Sequence, residues 1–181
     1  MNIAEWKENT ERERRDKDAF FGSIQSPIPF GHQENFKGLD YYPPDPEYRF
    51  ELEIFQHQDK KIIQIEDTKG NIRDFVRWGE FRFKIKEQNC VLQAYKGNTR
   101  DERLFIPFRD LTSAKETYGA GRYIDLDPYR NKTEGGKWIL DFNQAYNPWC
   151  AYSPDYACPF TPPENWLKVE VRAGEKAFAL K

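Results

Sequence analysis

The chain has 181 residues and a formal net charge of −2; charged residues make up 32% of it and aromatic residues 16%. The weak negative charge disfavours binding to nucleic acid or to an anionic membrane, because both need a basic surface. No apolar run approaches the roughly 18 residues of a membrane-spanning helix. The sequence therefore predicts a soluble one-domain protein with a core rich in aromatic rings.

Two further features of the composition bear on where the protein works. The first residues contain no apolar signal core, so we expect a cytoplasmic protein. The three cysteines are an odd number, which favours reduced thiols over a disulfide framework.

Residues 1–46 predict a helix followed by a proline-rich strap, both packed on the outside of a core. Within residues 3–20, acidic and basic side chains recur four positions apart, and Asn2 can cap the helix. Apolar residues stand mainly at the two ends of this helix, so we expect it to dock by its ends. Five prolines between residues 22 and 46 exclude a regular helix there and favour an extended segment.

Residues 47–181 predict a β core. Apolar and polar residues alternate from Tyr48 to Phe55, and the apolar stretches 62–66 and 72–78 flank a turn at residues 67–71, which predicts a hairpin. Further strands are predicted at 81–85, 90–96, 103–108, 117–123, 137–142, 166–172 and 177–180. Short strands with no helical pattern between them indicate an antiparallel meander, which removes its exposed edges by curling into a barrel or half-barrel.

The segment 141–165 is the most unusual part of the sequence. Between Asp141 and Cys150, hydrogen-bonding side chains are interleaved with aromatic rings and a proline. A loop of this composition is costly to order, because each fixed residue loses conformational entropy. We therefore interpret the segment as the rim or floor of a site.

Several motifs in this region occur together. They are Phe108-Arg109-Asp110, the stretch 117–123, Asp141-Phe142-Asn143-x-Ala145-Tyr146-Asn147-Pro148-x-Cys150, Cys158-Pro159, Pro163-Glu164-Asn165 and Ala173-Gly174-Glu175. In this order they are similar to an uncharacterised family of bacteria and archaea, catalogued as domain of unknown function 1684. The similarity runs from about Phe36 to the C-terminus and is most specific over 104–176. The resemblance implies no activity, cofactor or catalytic residue.

The side chains of these motifs predict a pocket between the strand 117–123 and the segment 141–165, at one end of the barrel. Arginines, amides and aromatic faces in one place suit a small polar or anionic ligand. The candidate ligand-binding residues are Arg109, Asp110, Glu116, Tyr118, Arg122, Asp141, Asn143, Tyr146, Cys150, Glu164 and Asn165. A structural alternative stays open, in which Arg122 pairs with Asp141 and ties the signature loop to its neighbouring strand.

The cysteine Cys150 admits more than one role. As a nucleophile it needs a nearby base, yet His32 and His57 lie far away in the sequence. The alternatives are that Cys150 is a buried packing residue or that it pairs with Cys158. Two thiols without a neighbouring histidine match no usual zinc pattern, so we expect neither a metal nor a cofactor.

Three functions are compatible with these patterns. The leading hypothesis is a protein that binds a small polar or anionic molecule. The first alternative is a hydrolase or lyase that uses Asp141 or Glu164, with Arg122 as the electrophilic stabiliser. The second is a protein-interaction scaffold that uses the N-terminal helix and the strap. The sequence leaves the ligand, the presence of catalysis and the oligomeric state open.

Overall fold

The computed structural model describes residues 1–179 and shows a mainly antiparallel β protein with an N-terminal helix, as predicted. The helix α1 spans Ile3–Phe21, and the side chain of Asn2 caps it by accepting from the amides of Ala4 and Glu5. The strands within this range are β1 (Arg49–Leu52), β2 (Phe55–Gln56), β3 (Ile62–Glu66), β4 (Ile72–Ile85), β5 (Gln88–Lys96), β6 (Leu104–Phe108), β7 (Arg122–Leu126) and β8 (Trp138–Asp141).

The strands form two sheets. The larger sheet has the order β2-β4-β5-β6-β7, and β3 also pairs with β4, while β1 and β8 form a separate pair. Over residues 1–179 neither sheet closes on itself, so the predicted barrel is not confirmed. At the outer edge of β7, the backbone of Tyr123 pairs with that of Tyr146 in an isolated bridge.

The alternation that predicted the central strands is confirmed, but the strands predicted at 72–78 and 81–85 form one continuous strand, β4, with a register shift between Arg77 and Gly79. In β4, Phe81, Phe83 and Ile85 are buried, while Arg82 and Lys84 are exposed. The hairpin of β3 and β4 pairs in register from Ile62–Val76 to Glu66–Ile72 around the predicted turn. A period of two thus identified the strands with one buried face.

The last two predicted strands differ from the structure. The stretch 166–172 is not a strand, although Leu167, Val169 and Val171 are buried as expected. Its backbone bonds irregularly to the loop after β6, with Leu167 N donating to Arg109 O at 2.7 Å and Leu111 N donating to Val169 O at 3.0 Å. Residues 177–179 are likewise not in a strand, and residue 180 lies outside the described residues.

The predicted strand at 117–123 begins only at Arg122, because the chain turns first. At Gly121 the backbone has φ +106°, and a Cβ there would lie 2.5 Å from the carbonyl oxygen of Phe108. Only glycine permits this close approach of the turn to the end of β6.

The core has two parts. The main cluster packs the inner faces of β4 to β8 around rings such as Phe81, Phe108 and Phe142. In a smaller cluster, Phe21 at the end of α1 and Ile28 of the proline-rich segment pack together. No helix within residues 1–179 is both long enough and apolar enough to span a membrane.

Candidate functional site

A cavity of about 680 Å³ lies between α1 and the edge of the larger sheet. Arg14 and Lys17 of α1 line one wall, and Asp125 of β7 lines the opposite wall. The segment 143–146 and the buried Glu175 complete the lining. The walls are therefore polar and charged on every side.

Backbone pairing at β7 sets the position of the segment 143–146. Tyr123 N donates to Tyr146 O at 2.9 Å, and Tyr146 N donates to Tyr123 O at 3.0 Å. Because side chains alternate along a strand, Ile124 and Leu126 enter the core and Asp125 points the other way, towards the cavity. The hydroxyl of Tyr146 donates to Asp125 Oδ2.

This contact perturbs both titratable groups. Although the side chain of Asp125 is partly open to solvent, loss of water to the surrounding protein atoms raises the pKa of Asp125, and the hydrogen bond from Tyr146 and the charge of Arg103 only partly offset this effect. Burial also raises the pKa of Tyr146, and the neighbouring carboxylate adds to the shift. The pair thus presents a carboxylate that is easier to protonate than usual, beside a phenol that keeps its proton.

Three of the four basic residues on the cavity wall have carboxylate partners. These pairs are Lys17 with Glu175, Arg103 with Asp127 at 3.3 Å, and Arg130 with Glu13 at 3.5 Å. Glu175 is 1% exposed and also accepts hydrogen bonds from the amide of Asn147 and the hydroxyl of Tyr152. These three cations are neutralised locally.

Arg14 is different, because no carboxylate of residues 1–179 lies within ion-pair distance of it. Its Nη1 donates to Tyr42 O at 2.8 Å and its Nη2 donates to Asn143 O at 3.2 Å, while the guanidinium lies 4.5 Å from the ring centre of Tyr41. Its Nε and the hydroxyl of Tyr41 are buried and find no hydrogen-bond partner among residues 1–179. Burial lowers the pKa of Arg14, as expected for a cation held away from water.

Of the candidate residues from the sequence, Asn143 and Tyr146 line this cavity. Arg122 instead lies in the core, 1% exposed, and bonds to Asp110 Oδ2 at 2.8 Å and to the carbonyls of residues 171, 173 and 175. The alternative pair of Arg122 with Asp141 does not form. Asp141 accepts from Trp6 Nε1 at 2.9 Å and from the side chain of Asn143 at 2.8 Å.

The two candidate amides in the interior hold backbone together. Asn165 is fully buried; its Oδ1 accepts from Gln93 N at 2.8 Å, and its Nδ2 donates to Gln93 O and Pro107 O. Asn143 binds the backbone of Asp45 in the same way: its side chain accepts from the amide of Asp45 at 2.9 Å and donates to the carbonyl of Asp45 at 2.8 Å. Both side chains use their polar atoms on the protein itself.

The remaining candidates lie elsewhere, and none of them lines the cavity among the described residues. Their contacts are Glu116 with Arg172 and Tyr42, Glu164 with Arg77 and Tyr95, Arg109 with the ring of Trp166, and Tyr118 with Cys150. Residues 1–179 also contain no group of three or more histidine, cysteine or acidic side chains that would hold a metal ion.

The sequence interpretation missed most of the residues that line the cavity, among them the charged residues Arg14, Lys17, Asp125 and Glu175. Arg14 and Lys17 belong to a helix whose charges follow an ordinary surface pattern, and Asp125 is a single acid within β7, just after the strand predicted at 117–123. Glu175 carries a usable signal, because it ends the motif Ala173-Gly174-Glu175. An acidic residue that directly follows a glycine in such a motif was therefore a possible choice as a site residue.

Comparisons with known proteins place this architecture in a family. The family described as "Protein of unknown function (DUF1684)" matches residues 34–176. The solution NMR structure of an uncharacterized protein from Haloarcula marismortui is similar, with a TM-score of 0.72 and 35% sequence identity over 97% of this chain and 96% of that one. No curated protein gives a significant match. The chain belongs to the DUF1684 family.

Proposed function

We propose that the protein binds a small polar or anionic molecule in the cavity between α1 and β7. The observation that supports this most is the guanidinium of Arg14, which lacks a carboxylate partner among residues 1–179. The other three cations of the wall are paired. The carboxylates of Asp141, Glu11 and Glu175 attract Arg14 only from beyond ion-pair distance. A partly desolvated guanidinium with no carboxylate in direct contact favours an anion bound to it.

The opposite wall adds requirements for the ligand. Asp125 and the hydroxyl of Tyr146 offer an acceptor and a polar hydroxyl facing the same space. A molecule with an anionic group at one end and hydroxyl or amine donors at the other satisfies both walls. Organic acids, sugar acids and nucleotides have this character, and about 680 Å³ is within the usual range for small-molecule sites.

The binding function agrees better with the contacts than the hydrolase or lyase alternative does. That alternative requires Arg122 to act together with Asp141 or Glu164. Within residues 1–179 no hydrogen bond or ion pair joins any two of these three residues. Each of them is already held by another part of the protein.

The test is a ligand screen with a matched pair of variants. Sugars, nucleotides and organic acids are added to the protein in turn, and the melting temperature is measured. We expect at least one class to raise it, because a ligand that binds the folded state stabilises that state. For this class, Arg14→Gln should weaken binding by about tenfold or more, since a hydrogen bond to a charged group contributes about 1.5–3 kcal/mol.

Arg12→Gln is the control, because Arg12 is exposed on the same helix and makes no contact with the cavity. It should bind as the wild type does. Arg14→Lys, which keeps the charge but loses the planar donor, should bind with intermediate affinity. Equal affinities for Arg14→Gln and the wild type, or no shift with any class, would show that the proposal is wrong.

A further inference from the structure

Cys150 and Cys158 bring two free thiols together outside the cavity. The amide of Cys150 donates to Cys158 Sγ at 3.3 Å, and the hydroxyl of Tyr118 lies 3.7 Å from Cys150 Sγ. The chain between the two cysteines begins with a short 3-10 turn, Trp149–Ala151, and folds back on itself. The two cysteines are eight residues apart in sequence, and the amide of one thus lies in hydrogen-bonding contact with the sulfur of the other.

The surroundings of Cys158 favour its ionised form. A hydrogen bond from the thiol of Cys150 is the largest cause, and the amide of Cys150 and the charge of Arg73 act in the same direction against the effect of burial. Together they lower the pKa of Cys158 below the usual value of a thiol. The same hydrogen bond raises the pKa of Cys150, which serves as the donor. The other titratable groups facing the pair are Tyr118 and Tyr123.

Access to the pair is uneven. Cys158 is 8% exposed, whereas Cys150 is partly exposed. A small oxidant reaches such a buried thiolate more readily than a bulky disulfide does. A thiolate with a second thiol beside it is the arrangement found in redox-sensitive cysteine pairs.

We propose that Cys150 and Cys158 form a peroxide-sensitive dithiol site that closes reversibly into an intramolecular disulfide. This proposal is independent of the ligand cavity, since neither cysteine lines it. Cys158 is the nucleophile that reacts first with the peroxide, and Cys150 is the resolving thiol.

The reaction has two steps. The thiolate of Cys158 attacks one oxygen of hydrogen peroxide; an S–O bond forms, the O–O bond breaks, and the departing hydroxide takes up a proton to become water. The sulfur of Cys150 then attacks the sulfenic acid on Cys158. The S–S bond forms, the S–O bond breaks, and the hydroxyl leaves as a second water with the proton of Cys150. Both sulfurs are oxidised, and one peroxide is reduced to two waters.

The third cysteine provides an internal reference. Cys90 is 5% exposed in β5, and burial raises its pKa. Its thiol donates only to the carbonyl of Gln88, at 3.6 Å. Cys90 should therefore stay reduced under conditions that oxidise the other two thiols.

The experiment uses the full-length protein near neutral pH. After treatment with hydrogen peroxide the remaining thiols are alkylated, and intact mass and peptide mapping identify which cysteines reacted. We expect the wild-type monomer to lose two alkylatable thiols, Cys150 and Cys158, and to recover both on treatment with dithiothreitol. Oxidation of Cys158 should be roughly tenfold or more faster than that of Cys90, because its thiolate fraction is larger.

The variants separate the two roles. In Cys150→Ser, dimedone should trap a sulfenic acid on Cys158, and in Cys158→Ser no intramolecular disulfide should form. Cys90→Ser should behave as the wild type. Retention of all three thiols in the wild type, covalent dimers in place of the monomeric disulfide, or equal rates for Cys90 and Cys158 would overturn the proposal. The wild-type rates decide the question even where a variant does not fold.

Discussion

Arg122 donates from Nη2 to Asp110 Oδ2 at 2.8 Å, and the two side chains are 1% and 0% exposed. The same guanidinium also donates to the carbonyl of Val171 at 2.8 Å and to that of Glu175 at 3.1 Å. One arginine thus joins β7, the loop after β6 and the segment that ends at Glu175. This buried pair connects three parts of the chain that lie far apart in sequence.

Replacing Arg122 by Met should strongly destabilise the fold. Methionine fills much of the space but leaves Asp110 as a buried charge without a partner, which typically costs about 3–5 kcal/mol. Chemical unfolding with urea measures the loss. Arg100→Met, at an exposed turn, is the control and should change stability by less than about 0.5 kcal/mol. A similar small change for Arg122→Met would show that the pair is not needed.

Asn165→Ala should also lower stability, although no charge is involved. The substitution leaves Gln93 N without its acceptor and two carbonyls without their donor, all in a fully buried place. Each unsatisfied buried group costs about 1–3 kcal/mol, so we expect a total loss of roughly 2–4 kcal/mol after relaxation. Asn89→Ala, on the exposed face of β5, should be nearly neutral in the same urea titration. Equal losses of stability for the two variants would show that the hydrogen bonds of Asn165 do not stabilise the fold.

Two glycines offer a matched comparison of backbone effects. Gly174 and Gly136 have φ +77° and φ +81°, but a Cβ at Gly174 would lie 2.6 Å from the carbonyl oxygen of Ala145, whereas nothing lies within 4 Å at Gly136. Gly136→Ala should cost about 1 kcal/mol for the left-handed backbone alone. Gly174→Ala adds a clash with the backbone and should cost about 2 kcal/mol more. Thermal unfolding of the two variants tests this order. A larger loss of stability for Gly136→Ala than for Gly174→Ala would refute it.

Acid stability should depend on Asp67. Burial by itself would raise the pKa of this carboxyl, but hydrogen bonds from the amide of Lys69, from Asn71 and from Arg73 hold it at about 2. The unfolded chain has a value near about 3.9, so the ionised form favours folding above about pH 4, and this contribution is lost as the pH falls towards 2. Urea unfolding across this range should show a shallower decline for Asp67→Asn than for the wild type.

Asp59→Asn is the control for that series, because Asp59 is exposed. Its stability should decline with acid as steeply as that of the wild type. If Asp67→Asn declined just as steeply, the hairpin carboxyl would not be a source of the pH dependence.

The sequence predicted those parts of the fold whose signal is local. Alternation of apolar and polar residues identified β4 from Phe81 to Ile85, and the spacing of charges identified α1. The stretch 166–172 shows the limit of this approach. Its alternating residues are buried, but a strand also needs a regular backbone partner, and here the partner is the irregular loop after β6.

The site was harder to predict, because its geometry depends on packing between distant segments. The motif residues Arg122 and Asn165 are polar groups that the sequence presented as ligand contacts, and the structure uses them inside the core. The cavity wall instead draws on Arg14 and Asp125, whose sequence surroundings are those of an ordinary surface. Only the docking of α1 across the edge of β7 gives these two side chains a common space.

Lys17 and Glu175, which form an ion pair in the cavity wall, are separated by 158 positions in the chain. During synthesis on the ribosome, the cavity can therefore form only after residue 175 has emerged and α1 packs against the segment that contains it. A bound ligand would connect α1 to the segment that contains Glu175 and so protect the helix from proteases. Only molecules that have finished folding would carry it.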